Sequence, residues 1–309
     1  MRTMLTVTVP FFALILLGYV AARKRWVPGD AVPAFNGFLL YFAVPAMLFR
    51  FAATTPFDEI ANGPYLLSYA VAGLVTLAGV TLAARRVFGA QLRDAAFYGL
   101  AAAVTNIGYL GIPMIVALMG ERAAGPTILA AIVDQTIVVS AALAMAQMDA
   151  SGTRHWTQGV RDALARAALN PFLLSIFAGA VFSAFRWPVP TPADEIVRLL
   201  ANAAGPCALF AIGVSLARPD ERPRSAVLAL PVAAKLVVHP LLAWLVMQHF
   251  VDRFAVTAGV LAAALPTAGW VFIFAQRYHA DAARISATIL FTTALAFLSF
   301  SAWVWLLGV

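Results

Sequence analysis

The chain has 309 residues, of which 62% are hydrophobic and only 11% charged, and its mean hydropathy is +0.87. A soluble domain carries about 25% charged residues, so a water-facing surface is excluded and an all-α integral membrane protein is the reading. The net charge is +7, but the basic residues fall in short groups between apolar runs, the pattern of membrane orientation, so nucleic acid is not expected as a partner.

Apolar runs near the roughly 20 residues of a bilayer crossing cover 4–22, 31–52, 64–84, 95–119, 124–147, 170–186, 195–217, 225–249, 254–276 and 285–307. The cluster Arg23-Lys24-Arg25 follows the first run rather than preceding it, so this run reads as a span entered from outside and not as a cleavable signal peptide. The second and seventh runs contain Pro45 and Pro206, which either kink the helices or line a site. The longest polar stretch, 148–168, is expected to be a cytoplasmic connecting loop between residues 1–147 and 169–309. Alternate loops hold 14 Lys and Arg on one side and 6 on the other, with Lys235 inside a span. The positive-inside rule puts the 14 in the cytoplasm and both termini outside.

The sequence repeats at an offset of 161 residues. Pro10 aligns with Pro171, Gly18 with Gly179, Pro45 with Pro206, Phe49 with Phe210, and Gly108 with Gly269. Two halves of five spans each must enter the membrane from opposite faces, because five is odd. Inverted repeats of this kind are typical of secondary transporters.

The fourth span contains TNIGYLGIPM, residues 105–114. Pro113 lacks an N–H and its ring clashes with the carbonyl of Tyr109, while Gly108 and Gly111 leave the backbone bare. The offset partner in the ninth span is LPTAGWVF, residues 265–272, with Pro266 and Gly269. Both spans are therefore expected to be interrupted, and such breaks are tolerated only inside protein or beside a water-filled cavity. Matched breaks in inverted halves point to a transport site. Half-helix N-termini suit an anionic group such as a carboxylate. The Asn106 amide can donate to a carboxylate, or can cap the broken backbone; Thr267 is its repeat mate.

Two charges lie deep in spans. Asp134 and Lys235 could pair with each other, support the site as a polar network, or divide roles, with Lys235 offsetting helix dipoles and Asp134 carrying a coupling proton. Gln135 would solvate Asp134. His239 lies one turn beyond Lys235 on the same face and is either an interior residue or a functional one. Arg50, at a span end, is expected to snorkel to the interface.

The spacing from Asn106 to Gly111-Ile112-Pro113, the segment FNGFLLYFAVPAMLF at 35–49 and the segment LPTAGWVFIFAQRY at 265–278 resemble the auxin efflux carrier family, which includes the plant PIN auxin exporters and bacterial malonate and malate carriers. The resemblance covers essentially the whole chain. It implies ten transmembrane helices in two inverted five-helix repeats, with broken helices four and nine crossing at mid-membrane. Helices 1, 2, 6 and 7 would form a scaffold, and 3–5 and 8–10 a moving bundle. The family's carboxylate-binding Asn falls on Asn106 and its crossover prolines on Pro113 and Pro266. The plant proteins carry a second proline where this chain has Val271, and their large cytoplasmic loop has no counterpart here.

The expected function is secondary active or facilitated transport of small organic anions across the cell membrane, in a bacterial inner membrane, by elevator-type alternating access. A cation-coupled symporter or antiporter of the same architecture, like the bile-acid symporters, is the alternative. An intramembrane enzyme is the remote one, since no HExxH or GxSxG is present. The single Cys207 and four scattered histidines provide no disulfide framework and no zinc or haem cluster, so no metal or cofactor is expected. The partners expected are the anion, the lipid bilayer and a second copy of the chain in a homodimer.

Overall fold

The computed structural model describes residues 2–28, 31–54, 56, 62–151, 171–217 and 226–309. Most of the expected 148–168 loop lies outside them. Among the described residues the secondary structure is helical apart from one isolated bridge. Helix α1 is Arg2–Arg23. Helix α2 is Ala31–Phe38 and Val44–Thr54 joined by a π turn, Leu39–Ala43. Helix α3 is Gly63–Phe88, started by the Asn62 side chain on the Tyr65 N–H and stopped by Gly89 in the left-handed region. Helix α4 is Leu92–Ala103 and α5 is Ile112–Met119, with a π turn at Ile107–Gly111 before α5. Helix α6 is Ala124–Val133 and Val139–Ser151 around the π turn Asp134–Val138. Then come α7, Pro171–Ala184, and α8, Thr191–Leu216. Helix α9 is Ala226–Ala233 and His239–Met247 around the π turn Ala234–Val238. Helix α10 is Arg253–Ala263, α11 is Trp270–Arg277 and α12 is Ala282–Leu307. Among the described residues, five stretches are long and apolar enough to cross a membrane: Pro33–Thr54, Gly63–Phe88, Glu121–Ala146, Ala226–Met247 and Ala282–Leu307.

Three of the four π turns have a proline as their cause. Val44, Ile112 and His239 each donate to the carbonyl five residues back, at Leu39, Ile107 and Ala234. The next residue in each case is proline: Pro45, Pro113 and Pro240. A proline ring collides with the carbonyl four residues behind it and supplies no N–H. One extra residue in the turn swings that carbonyl aside without ending the helix. The carbonyl that Pro240 leaves unbonded is that of Leu236, and the Trp303 indole N–H of α12 donates to it at 3.1 Å.

Helix packing falls into two groups. Helix α1 lies along α8 and α7 along α2, with α2 also against α8; α3 packs on α4 and α9, α4 on α6, and α9 on α10. Glycines set the closest approaches in the first group. A Cβ on Gly18 of α1 would overlap the Phe210 carbonyl oxygen of α8, and one on Gly179 of α7 would overlap the Phe49 carbonyl oxygen of α2. These are the same contact twice, since 18 and 179, and 49 and 210, are related by the 161-residue offset. Small residues let membrane helices approach this closely, where dispersion replaces a hydrophobic driving force.

Gly18→Ala and Gly179→Ala should each lower the thermal midpoint in detergent, with overpacking costing about 1–3 kcal/mol, even though alanine is the better helix former by about 1 kcal/mol. Gly79→Ala, where a Cβ meets nothing within 4 Å, should hold or raise the midpoint. Equal responses at all three positions would contradict the packing account. Trp303→Phe leaves the Leu236 carbonyl without its donor and should cost about 1–3 kcal/mol by the same measurement.

Candidate functional site

Helix α4 stops at Ala103, and Val104 is extended. The break therefore lies at 104–106, ahead of the glycines at 108 and 111, which belong to the π turn that follows. Pro113 sits in the first turn of α5, directly after the π turn that absorbs its clash. The facing segment between α10 and α11 lies antiparallel to it: Thr105 and Thr267 form a bridge, and the Asn106 N–H donates to the Pro266 carbonyl at 2.9 Å.

Each chain stop needs partners for its freed backbone groups, because residues 104–106 and Leu265 and Thr267 are buried. The Thr105 N–H and hydroxyl both donate to Asp134 Oδ2, at 2.9 and 2.6 Å. The Thr267 N–H donates to the Thr292 hydroxyl at 3.2 Å, and the Thr267 hydroxyl donates to the carbonyl of Ala101 near the end of α4, at 2.7 Å. The Asn106 carbonyl accepts from Leu110 and Gly111 at 3.1 and 3.0 Å. The amide of Asn106 does none of this work. It makes no cap bond to the π turn, and among the described residues it has no hydrogen-bond partner, although Asn106 is only 5% exposed.

A narrow pocket of about 20 Å³ opens on one side of the crossing. Thr105, Asn106, Ile107 and Gly108 form its floor, Asp134 and Gln135 one wall, Leu48 of α2 and Ile176 of α7 another, and Trp270 of α11 a third. The pocket therefore lies where the two packing groups meet. The N–H groups of residues 107–109 precede the first helical bond, that of Leu110, and have no intrahelical acceptor. An unpartnered amide donor and a helix N-terminus thus share one cleft, an arrangement that favours a negatively charged guest.

Asn106, Gly108, Asp134 and Gln135 are brought together as the sequence suggests. Thr267 is fully buried with its hydroxyl committed to Ala101, and does not line the pocket. A Cβ on Gly111 would sit 2.5 Å from Leu265 Cδ1, so this glycine serves packing against the opposite arm. Gly269 has open space around it. Pro45 follows the π turn of α2, while Pro113 and Pro206 line a second cavity. Asp134 and Lys235 make no direct ion pair. Asp134 holds Thr105, and Lys235 Nζ lies 3.1 Å from His239 Nδ1, both residues being fully buried. Sequence reasoning missed Thr105, Leu48, Ile176, Trp270 and Thr292. Thr105 and Thr292 had a signal, hydroxyls beside a chain break and inside a span; Leu48 and Ile176 had none.

Residues 3–304 match the model of a family described as membrane transport protein. The chain belongs to this family, the auxin efflux carriers that its motifs resemble. A Rhizobium meliloti (strain 1021) protein named "Putative malonate transporter" is 37% identical over 295 residues, 93% of this chain and 90% of that one. An uncharacterized transporter of Escherichia coli (strain K12) is 27% identical over 87% of each chain, and one of Methanothermobacter thermautotrophicus is 27% identical over 94% of each. The auxin efflux carriers and these relatives are transporters, not enzymes, and the chain is a membrane transporter.

Thr105→Val keeps the N–H bond to Asp134 and removes the hydroxyl one. A hydrogen bond to a charged group is worth about 1.5–3 kcal/mol, so this variant should unfold at a lower temperature than the parent while Thr105→Ser stays close to it. Indistinguishable melting of all three would show that Asp134 does not hold the crossing.

Proposed function

We propose that the protein carries small carboxylates across the cell membrane, with the substrate carboxylate docked at the crossing against Asn106 and the N–H groups that begin at Ile107. The observation that carries this reading is the buried, unpartnered Asn106 amide in the pocket. Had it served only to cap the broken chain, its donor would be spent on the backbone. The malonate named for the Rhizobium relative is a dicarboxylate of suitable class and the first substrate to test.

The mechanism we propose is elevator-type alternating access by two inverted five-helix repeats. Support comes from the twinned Gly18–Phe210 and Gly179–Phe49 contacts at the 161-residue offset. The bridge itself adds support: 105 plus 161 is 266 and 106 plus 161 is 267, so a two-fold exchange of the halves returns the same crossing. Helices α1, α2, α7 and α8 would be the static scaffold. The crossing elements with α3, α6, α9 and α12 would be the moving bundle. Because Leu48 and Ile176 come from the first group and Asn106 from the second, a shift of one group past the other carries the pocket floor along the scaffold wall. Asp134, Gln135, Lys235 and His239 act as polar support. Both termini lie outside a bacterial inner membrane and 148–168 in the cytoplasm, on the strength of the Lys and Arg asymmetry.

In proteoliposomes, Asn106→Ala should lower malonate flux at least tenfold, about 1.4 kcal/mol or more in binding terms, with the protein still monodisperse and folded. Parent-like flux of dicarboxylates through Asn106→Ala would refute the site.

A further inference from the structure

The second cavity, about 190 Å³, is not used by the mechanism above. It is lined by Met47, Arg50 and Phe51 of α2, by Asn202, Gly205 and Pro206 of α8, and by Pro113 of α5, with Ala201 at its edge. Residues 47, 50 and 51, and 202, 205 and 206, have the i, i+3, i+4 spacing of one helix face, so both scaffold helices turn a continuous stripe toward this space. Pro113 lies just after the π turn whose first residues, Ile107 and Gly108, floor the central pocket. Helix α2 lines both cavities, through Met47 in one and Leu48 in the other. The two spaces therefore flank a single element of the crossing.

The cavity holds one cation, Arg50. Its Nε is buried, and among the described residues it donates to no acceptor. Among the described residues its counter-ion is Asp194, whose Oδ1 stands 3.8 Å away in a loose, partly exposed ion pair beyond hydrogen-bond reach. Asp194 has another reason for its position, since it lies in the first turn of α8, where a carboxylate favours the helix dipole. Glu195, the next acidic residue, is occupied by a two-pronged bond to Arg198. So the guanidinium is left with donor capacity facing a space that also holds the Asn202 side chain, whose amide can donate as well. A planar guanidinium fork with an adjacent amide matches a carboxylate in shape and charge.

We propose that this cavity is a second anion site, in which Arg50 and Asn202 capture a small carboxylate before it passes to the crossing. It rests on the carboxylate reading above for its substrate class but uses none of the same residues. Arg50 raises the local concentration of anions at the entrance and so governs apparent affinity, while the crossing governs translocation.

Malonate binding to the protein in nanodiscs, measured by calorimetry, separates the two sites. Asn106→Ala is expected to keep a weak malonate site, and the double variant Asn106→Ala/Arg50→Gln to lose it. Asn202→Asp in the Asn106→Ala background should lose it too, by repulsion, with Arg50 untouched, which guards against a folding defect at Arg50. In flux measurements Arg50→Gln should raise the malonate KM about tenfold with little change in maximal rate, Arg50→Lys should recover part of it, and Asp194→Asn, by removing the opposing carboxylate charge, should lower KM below the parent's. The proposal is overturned if Asn106→Ala binds no malonate, if its residual binding survives Arg50→Gln, or if Arg50→Gln has the parent's KM. Full binding and flux in Asn106→Ala would instead overturn the crossing site.

Discussion

Every backbone N–H and C=O placed at membrane depth must find a partner within the protein, and this one requirement shapes the centre of the molecule. Two helices stop inside the apolar interior, at Ala103 and Ala263. Each stop strands polar groups that would cost several kcal/mol apiece in hydrocarbon. The solution is mutual: the extended segments pair with each other through Asn106 and Pro266, and side chains from neighbouring helices take the rest. Asp134 and Thr292, one on α6 and one on α12, each receive an N–H from the crossing. Buried polar residues that look anomalous in a hydrophobic chain are therefore the residues that make the break affordable.

The same bookkeeping explains the prolines. Pro45, Pro113 and Pro240 would each break a helix if the ladder stayed α-helical. A single extra residue in the preceding turn absorbs the clash, and in α9 the displaced carbonyl of Leu236 is met by Trp303. Prolines thus introduce local distortions at Leu39–Ala43, Ile107–Gly111 and Ala234–Val238, and two of these distortions border the pocket floor and the buried Lys235–His239 pair. The fourth π turn begins at Asp134 without a proline; nothing in the structure explains it, although it sets that carboxylate beside the crossing.

Once the backbone is satisfied, the surplus is informative. Thr105, Thr267 and Asp134 Oδ2 are spent on holding the crossing. The Asn106 amide is not spent, and neither is Arg50 Nε. Unmade hydrogen bonds are costly in such an interior, and the proposed anion sites rest on these two donors left open toward cavities. Both donors face spaces lined by α2, a narrow one of about 20 Å³ and a wider one of about 190 Å³, which flank the same π turn.

The amino-acid sequence alone determined the membrane setting, the approximate helix ends, the interruption around Asn106 and Pro113, and the family. Those follow from composition, from proline and glycine chemistry and from motif spacing, all of which are local in the chain. The 161-residue offset also led to Gly18 and Gly179, but not to what they touch. What the tertiary structure decided depends on residues far apart in sequence. Thr267, a plausible ligand by symmetry, turns its hydroxyl to Ala101 because that carbonyl is the closer need. Asp134 serves Thr105 rather than pairing directly with Lys235. Leu48, Ile176 and Trp270 become pocket walls only because three separate helices converge on residues 105–108. Apolar side chains of this kind carry no signature of their own in a chain that is hydrophobic throughout, so packing alone could single them out.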